Sequence, residues 1–242
     1  ENLSDLIEAV KKSNADLGIA FDGDGDRLGV VTNLGEIIFP DQLLMIFAKE
    51  VLLNTKGAQI IFDVKCSNLL AETIENLGGE AVMSATGHFH IKNALKKSGA
   101  PLAGEMSGHI FFNDQWYGFD DGHYSAFRLI EIMVDREESL SSMFDSLPKA
   151  FSTPEMNIDV EESQKFKIVQ DFIDGAEFPE GEKITIDGLR VNFKDGWGLL
   201  RASNTTPKLV LRFEAKTNKR LDEIKNLFLS QLKQIDESIM IE

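Results

Sequence analysis

Between residues 58 and 136 the spacing of apolar residues changes again and again, and that alternation leaves few ways to fold. "AQIIFDV" (58–64) and "EAVMSAT" (80–86) carry short apolar runs suited to strands. Each is followed by a stretch of helical spacing that ends in glycine, "NLLAETIENLG" (68–78) and "HIKNALKKSG" (90–99). "PLAGEM" (101–106) and "HIFF" (109–112) read as short strands, and "GHYSAFRLIEIMVDR" (122–136) as a long helix. Strands and helices alternating over short loops predict an α/β domain whose mixed, mostly parallel sheet is covered by helices. Upstream, "LGIAF" (17–21) and "LGVVT" (28–32) read as strands flanking an acidic loop, "NLGEII" as a turn, and "PDQLLMIFAKEVLLN" (40–54) as a helix.

The rhythm changes at "SSMFDSLPKAFSTPEMN" (141–157), where Pro148 and Pro154 bracket a predicted linker. Beyond it come a strand, a helix, a hairpin around "IDG" (186–188), two more strands and a closing amphipathic helix (219–235). That order predicts a smaller α+β domain with an antiparallel sheet and two helices on one face. Hydrophobic content of 43%, with 17 Phe, is ample for packed cores. No apolar run approaches the ~18 residues of a membrane span. A net charge of −15 argues against nucleic acid or an anionic membrane as a partner. The one cysteine, Cys66, excludes an intramolecular disulfide, reads as a small core residue, and fits a cytoplasmic location. "ENLSDLIEAVKKSNAD" is an amphipathic helix rather than a secretory signal, and its abrupt start without Met predicts further residues upstream.

In "FDGDGDR" (21–27), Asp22, Asp24 and Asp26 alternate with Gly23 and Gly25. Glycines let the backbone turn the three carboxylates inward, and an all-oxygen set suits Mg²⁺ better than zinc. An EF-hand would need Gly and Glu where this chain has Arg27 and Asn33. A haloacid-dehalogenase type of phosphotransferase would use Asp22 as nucleophile, with Asp24 beside it and Asp120-Asp121 as a later acidic pair, but Gly25 stands where that family usually shows Thr or Val.

Three further stretches carry chemistry. "TGHFHIK" (86–92) sets His88, His90 and Lys92 where a strand meets a helix, a place that attracts phosphate, although a merely capped helix would look the same. "GEMSGH" (104–109) offers Glu105, Ser107 and His109 between glycines, a set suited to sugar hydroxyls. "RASNTTP" (201–207) is almost all donors, Arg201, Ser203, Asn204, Thr205 and Thr206. It lies within residues 190–220, where eight cationic side chains meet two carboxylates, a local reversal to +6 that points to an anion. A polar hairpin turn is the plain alternative.

"FDGDGDR", "DVKCS" (63–67), "TGHFHIK", "GEMSGH" and "RASNTTP", in this order, resemble the α-D-phosphohexomutases, and their wording is similar to the bacterial phosphomannomutase/phosphoglucomutase branch. The phosphoglucosamine mutase branch, the alternative, usually has Gln in place of Met106 and a Ser-Gly-Thr-Glu-Pro loop. The resemblance implies Asp22, Asp24 and Asp26 as Mg²⁺ ligands with Arg27 beside a phosphoserine phosphate, and Glu105 and Ser107 on sugar hydroxyls. It implies that Arg201, Ser203, Asn204, Thr205 and Thr206, helped by Lys65 and His88, grip the phosphate not being transferred, with His109 as a general acid/base and Arg212 supporting the loop. It also implies the end of a second, metal-binding domain at 1–36, a third, sugar-binding domain at 37–150 and a fourth, phosphate-binding domain at 151–242. The family's phosphoserine stretch, resembling Thr-Ala-Ser-His-Asn-Pro, does not occur. The chain is therefore expected to be the C-terminal portion of a longer protein that interconverts hexose 1-phosphate and hexose 6-phosphate through a bisphosphorylated sugar, and to be inactive alone. A non-catalytic sugar-phosphate-binding module is the other reading. Glucose and mannose phosphates fit the same hydroxyl-binding pair.

Overall fold

Amphipathic spacing at the start of the chain produces α1 (Ser4–Ser13), with Val10 buried, Lys11 and Lys12 in the last turn, and Asn14 closing it in the left-handed conformation. β1 (Leu17–Phe21) and β2 (Leu28–Thr32) pair antiparallel with Phe21 opposite Leu28, so the acidic loop is the connection of a hairpin. β3 (Ile37–Ile38) extends this to a three-stranded sheet of order β1-β2-β3. The computed structural model describes residues 3–236 and residue 239. The chain divides into two compact units, Glu1–Pro148 and Lys149–Glu242.

The first unit continues through α2 (Pro40–Asn54), β4 (Gln59–Asp63), α3 (Asn68–Asn76), β5 (Glu80–Ser84), α4 (His88–Ser98), β6 (Leu102–Gly104), β7 (Ile110–Phe112), α5 (Gly122–Arg136) and α6 (Leu140–Asp145). Its second sheet has the order β5-β4-β6-β7, with β4 parallel to both neighbours and β7 antiparallel. Alternation along β4 explains the burial of both faces. Ile60 and Phe62 join a core with Phe47, Leu70, Phe112 and Leu129, while Ile61 packs with Ile91, Leu95 and Phe111. The α/β architecture is therefore the one that the alternating pattern predicts.

The second unit comprises β8 (Phe151–Ser152), β9 (Met156–Asp159), α7 (Lys165–Gly175), β10 (Glu182–Ile184), β11 (Leu189–Phe193), β12 (Gly196–Ala202), β13 (Lys208–Ala215) and α8 (Asn218–Ile235). The sheet is antiparallel, of order β10-β11-β12-β13-β8, with β9 also on β13. Val191, Leu200, Leu211 and Phe213 form its apolar core with Phe172 of α7 and Ile224 and Phe228 of α8. The cross-strand register gives the other face to Arg190, Trp197, Arg201, Arg212 and Glu214.

Two boundaries differ from the sequence reading. The division between the two units falls after Pro148, where Pro148 and Pro154 bracket the predicted linker, but Phe151 and Ser152 inside it pair with Ala215 and Glu214. The helix α6 just before it, capped by Ser139 and burying Leu140 and Met143, is absent from the sequence reading. α4 begins at His88, not at 90, because the carboxylate of Glu105 accepts the Gly87 N–H at 2.5 Å in place of a local capping side chain. Among the described residues, no helix is long and apolar enough to cross a membrane.

Candidate functional site

The β1–β2 connection brings Asp22, Asp24 and Asp26 together, with one carboxylate oxygen from each lying within 4.8 Å of the others. Gly25 allows this by adopting φ +78°. Arg27 fixes one end, its backbone N–H donating to Asp22 Oδ1 at 3.1 Å and its Nε to Oδ2 at 2.5 Å. The start of α5 fixes the other. Gly122 donates its N–H to the Gly25 carbonyl at 3.2 Å, and the ring of His123 stacks on Phe21 with centroids 4.1 Å apart. A side chain at Gly122 would place its Cβ 2.8 Å from that carbonyl oxygen. Burial and the neighbouring carboxylates raise the pKa of Asp26, whereas Asp22, despite some desolvation, is held below its ordinary value by the Arg27 hydrogen bonds. Three converging carboxylates, with Asp26 Oδ1 buried and accepting no hydrogen bond, fit a divalent cation, which would reverse the shift at Asp26.

"GEMSGH" forms a tight turn between β6 and β7. Glu105 N–H donates to the His109 carbonyl at 2.9 Å, Gly108 N–H to the Glu105 carbonyl at 3.0 Å, and Gly108 takes φ +102°. This turn sends Glu105 inward, 2% exposed, and leaves Ser107 exposed. Burial pushes the Glu105 carboxyl up to about 7, helped by the charge of Asp63 and opposed by the Gly87 N–H and Lys65. A carboxyl poised there can accept or donate a hydrogen bond at neutral pH, which suits a sugar hydroxyl. Asp63, at the end of β4, joins these parts by accepting from Met106 N–H at 3.0 Å, Cys66 Sγ at 3.1 Å and Thr86 Oγ1 at 3.0 Å. Lys65 is buried beside it in sequence.

His109 connects the "GEMSGH" turn to the acidic loop. Its Nδ1 lies 3.5 Å from Asp26 Oδ2 and 3.2 Å from Asp120 Oδ2, while Arg27 and His109 form an isolated β-bridge. Lys92 holds the other oxygen of Asp120 at 2.5 Å and lies 3.3 Å from His88 Nδ1. The His88 and His109 rings are 6.0 Å apart. Burial lowers the pKa of His109 against the pull of Asp26 and Asp120, favouring an imidazole that can take a proton. Asp120 enters the sequence reading only through the rival phosphotransferase; its companion Asp121 is the N-cap of α5. The signals for Asp120 and Asp63 are an acid before a helix and an acid at a strand end, and such residues are too common to stand out.

In the second unit, Arg201 lies next to the end of β12 and residues 203–207 turn into β13. Ser203 Oγ shapes this turn, accepting from Thr206 N–H at 3.2 Å, Thr206 Oγ1 at 2.8 Å and Thr205 N–H at 3.4 Å. Lys165 Nζ donates to the Thr206 carbonyl at 3.2 Å. Asn204, Thr205 and Thr206 remain exposed. Arg201 donates through Nε to Asp187 Oδ2 at 2.9 Å. Arg212 lies on β13 opposite Leu199, its guanidinium 5.8 Å from the Trp197 ring, whose indole N–H donates to Glu214.

Among the described residues, five buried side-chain polar atoms have no hydrogen-bond partner: Asp26 Oδ1, Glu105 Oε2, His109 Nδ1, Arg201 Nη2 and Arg128 Nε. Leaving such an atom unmet costs roughly 1–3 kcal/mol. Four of the five belong to residues that the motifs single out; His109 Nδ1 faces the Asp120 and Asp26 carboxylates, which leaves Asp26, Glu105 and Arg201 as atoms that ligands to each unit would complete.

Comparison with known proteins agrees along the whole chain. Three descriptions of one family match in order: "Phosphoglucomutase/phosphomannomutase, alpha/beta/alpha domain II" over residues 1–35, its "alpha/beta/alpha domain III" over 39–151, and its "C-terminal domain" over 155–231. The phosphomannomutase/phosphoglucomutase of Pseudomonas aeruginosa is 55% identical over 241 residues, which is 100% of this chain and 52% of that protein. A phosphoglucomutase of Neisseria gonorrhoeae is 55% identical over 94% of this chain and 50% of its own length. The crystal structure of a phosphoglucomutase/phosphomannomutase family protein from Burkholderia thailandensis aligns with a TM-score of 0.93 at 50% identity, covering 99% of this chain and 51% of that one. The chain thus spans about half the length of the curated relatives it matches.

Proposed function

Because the chain belongs to the phosphoglucomutase/phosphomannomutase family, we propose that it is the C-terminal half of an enzyme interconverting hexose 1-phosphates and hexose 6-phosphates. In this reading residues 1–36 end the metal-binding domain, 37–150 form the sugar-binding domain and 151–242 the phosphate-binding domain. The observation that carries the reading is the set of unmet polar atoms at Asp26, Glu105 and Arg201, matching a cation, a sugar hydroxyl and a phosphate in turn.

The reaction moves a phosphoryl group between a serine supplied by the rest of the protein and a hydroxyl of the sugar phosphate. Asp22, Asp24 and Asp26 would hold Mg²⁺, which when bound would supply charge neutralisation to phosphoryl transfer. Arg27, half exposed beside Asp22, reaches the same phosphate. Glu105 and Ser107 hold two sugar hydroxyls without reading which end of the sugar points where. His109, flanked by Asp26 and Asp120, takes the proton of the attacking hydroxyl and returns it to the departing oxygen. Arg201, Asn204, Thr205 and Thr206 grip the phosphate that stays on the sugar, in the loop shaped by Ser203.

Two titrations of this chain test the reading. Mg²⁺ at about 100 times its dissociation constant is expected to add about 2.7 kcal/mol of stability, and Asp24→Asn to remove that gain. Glucose 1-phosphate followed by calorimetry should bind without turnover. A chain indifferent to both would refute the proposal.

A further inference from the structure

We propose that Asp187, in the turn between β10 and β11, is a positioning residue that aims Arg201 at a phosphate monoester. This deepens the phosphate-binding reading of residues 201–206 and rests on it. Arg201 is only 4% exposed and its Nε is engaged by Asp187 Oδ2 at 2.9 Å, yet its Nη2 is buried with no hydrogen-bond partner. A guanidinium is planar and its donors are fixed relative to one another, so a carboxylate on Nε sets the plane and with it the direction of the terminal N–H groups. A buried cationic donor left open is costly in the empty protein and is satisfied by an anion with several oxygens. The residues that follow, Asn204, Thr205 and Thr206, expose further donors to the same kind of ligand.

The turn is itself pinned to the strand that carries Arg201. Gly188 has φ +78°, and a Cβ there would lie 2.3 Å from the Leu200 carbonyl oxygen and 2.7 Å from Arg201 Cα. Asp187 therefore reaches the guanidinium from a fixed point on the neighbouring hairpin. Its side chain is 17% exposed, so water screens the pair only partly. The Asp-Gly pair thus does more than close a hairpin.

Charge alone makes the opposite forecast, which allows a decisive test. A carboxylate beside an anion site repels the anion, so a purely Coulombic role means that its removal tightens binding. A positioning role means that its removal weakens binding. Calorimetry on the full chain with glucose 6-phosphate as probe separates the two, using Asp187→Ala, Asp187→Asn, Arg201→Ala and the double variant Asp187→Ala/Arg201→Ala, with thermal melting run on each. Asp187→Ala should weaken binding on the order of tenfold. Asp187→Asn, which keeps an oxygen acceptor for Nε, should lose less, and the double variant should bind no more weakly than Arg201→Ala. Unchanged or tighter binding by Asp187→Ala overturns the proposal, as does a double variant in which the two losses simply add. If Asp187→Ala does not fold, Asp187→Asn alone decides, because tighter binding by that variant is the Coulombic result. A chain that does not bind the probe, or that binds it fully without Arg201, removes the phosphate reading itself and this proposal with it. That pattern is distinct from one in which only Arg201 matters.

Discussion

Asp26 and Glu105 in the first unit carry their unmet oxygens on backbone turns, whereas Arg201 in the second carries its unmet nitrogen on a strand and is steered through a side-chain tether. Asp26 and Glu105 occupy short glycine-containing connections, shaped by hydrogen bonds such as Gly108 N–H to the Glu105 carbonyl. Arg201 instead projects from β12 and is steered by Asp187, while Lys165 holds the carbonyl of Thr206. Side-chain length is the physical difference. A short carboxylate can only be aimed by aiming its backbone, but a long guanidinium must be restrained near its end. On the proposed reading, a cation site in the first unit would be disturbed by backbone changes, and an anion site in the second by the loss of one distant partner.

The sharpest way to break this comparison is Asp63→Ala. Asp63 is fully buried and accepts from Met106 N–H, Cys66 Sγ and Thr86 Oγ1, so its loss should cost roughly 4 kcal/mol in urea unfolding. Amide exchange should report the loss in the first unit. A loss below about 1 kcal/mol would show that the turn around Glu105 does not depend on this carboxylate.

Glu105 sharpens the comparison through pH. Its pKa rises on folding from 4.5 to about 7, so the folded state holds the proton more tightly and stability falls as pH climbs through that window. Glu105→Gln removes this dependence. Relative to that variant the unaltered chain should lose roughly 3 kcal/mol between about pH 4 and about pH 8, read from urea midpoints. Parallel curves for the two proteins would contradict the burial argument.

In the second unit the corresponding backbone test is Gly188→Ala. Its φ of +78° and the Leu200 carbonyl at 2.3 Å from an added Cβ should cost about 2 kcal/mol by thermal melting. The smallest effect is expected at Arg27→Ala. Arg27 is half exposed, so losing its pair with Asp22 should cost under about 1 kcal/mol, and the Asp22 pKa should rise toward its ordinary value in an NMR titration. A drop comparable to Asp63→Ala would mean that the acidic loop is held by side chains after all.

Most of the architecture was legible because it rests on local periodicity. The alternation at 58–136 yields the parallel β5-β4-β6 arrangement, and the "IDG" signal yields the β10–β11 hairpin. The stretch around the linker is the instructive case: the division falls at Pro148, inside the bracketed segment, but the short elements on either side of that proline were not legible. Leu140, Met143 and Phe151 carry no long period, and their structure comes from Ser139 and from pairing with residues more than sixty positions away. Among the candidate site residues of each unit, clustered motifs such as "FDGDGDR" and "RASNTTP" stood out because several unusual residues lie side by side. The positioning roles of Asp63, Asp120, Lys165 and Asp187 did not, since each holds a residue from another part of the chain.

Sequence by itself determined the type of each element, the sign of charge in each motif and the chemistry those motifs can support, because period and composition are properties of neighbouring residues. Only tertiary structure decided which groups are left unmet: that Glu105 is buried with one oxygen free, that His109 sits between Asp26 and Asp120, and that Asp187 takes one edge of Arg201. Desolvation and hydrogen bonding depend on distance in space, and chain spacing does not encode that distance.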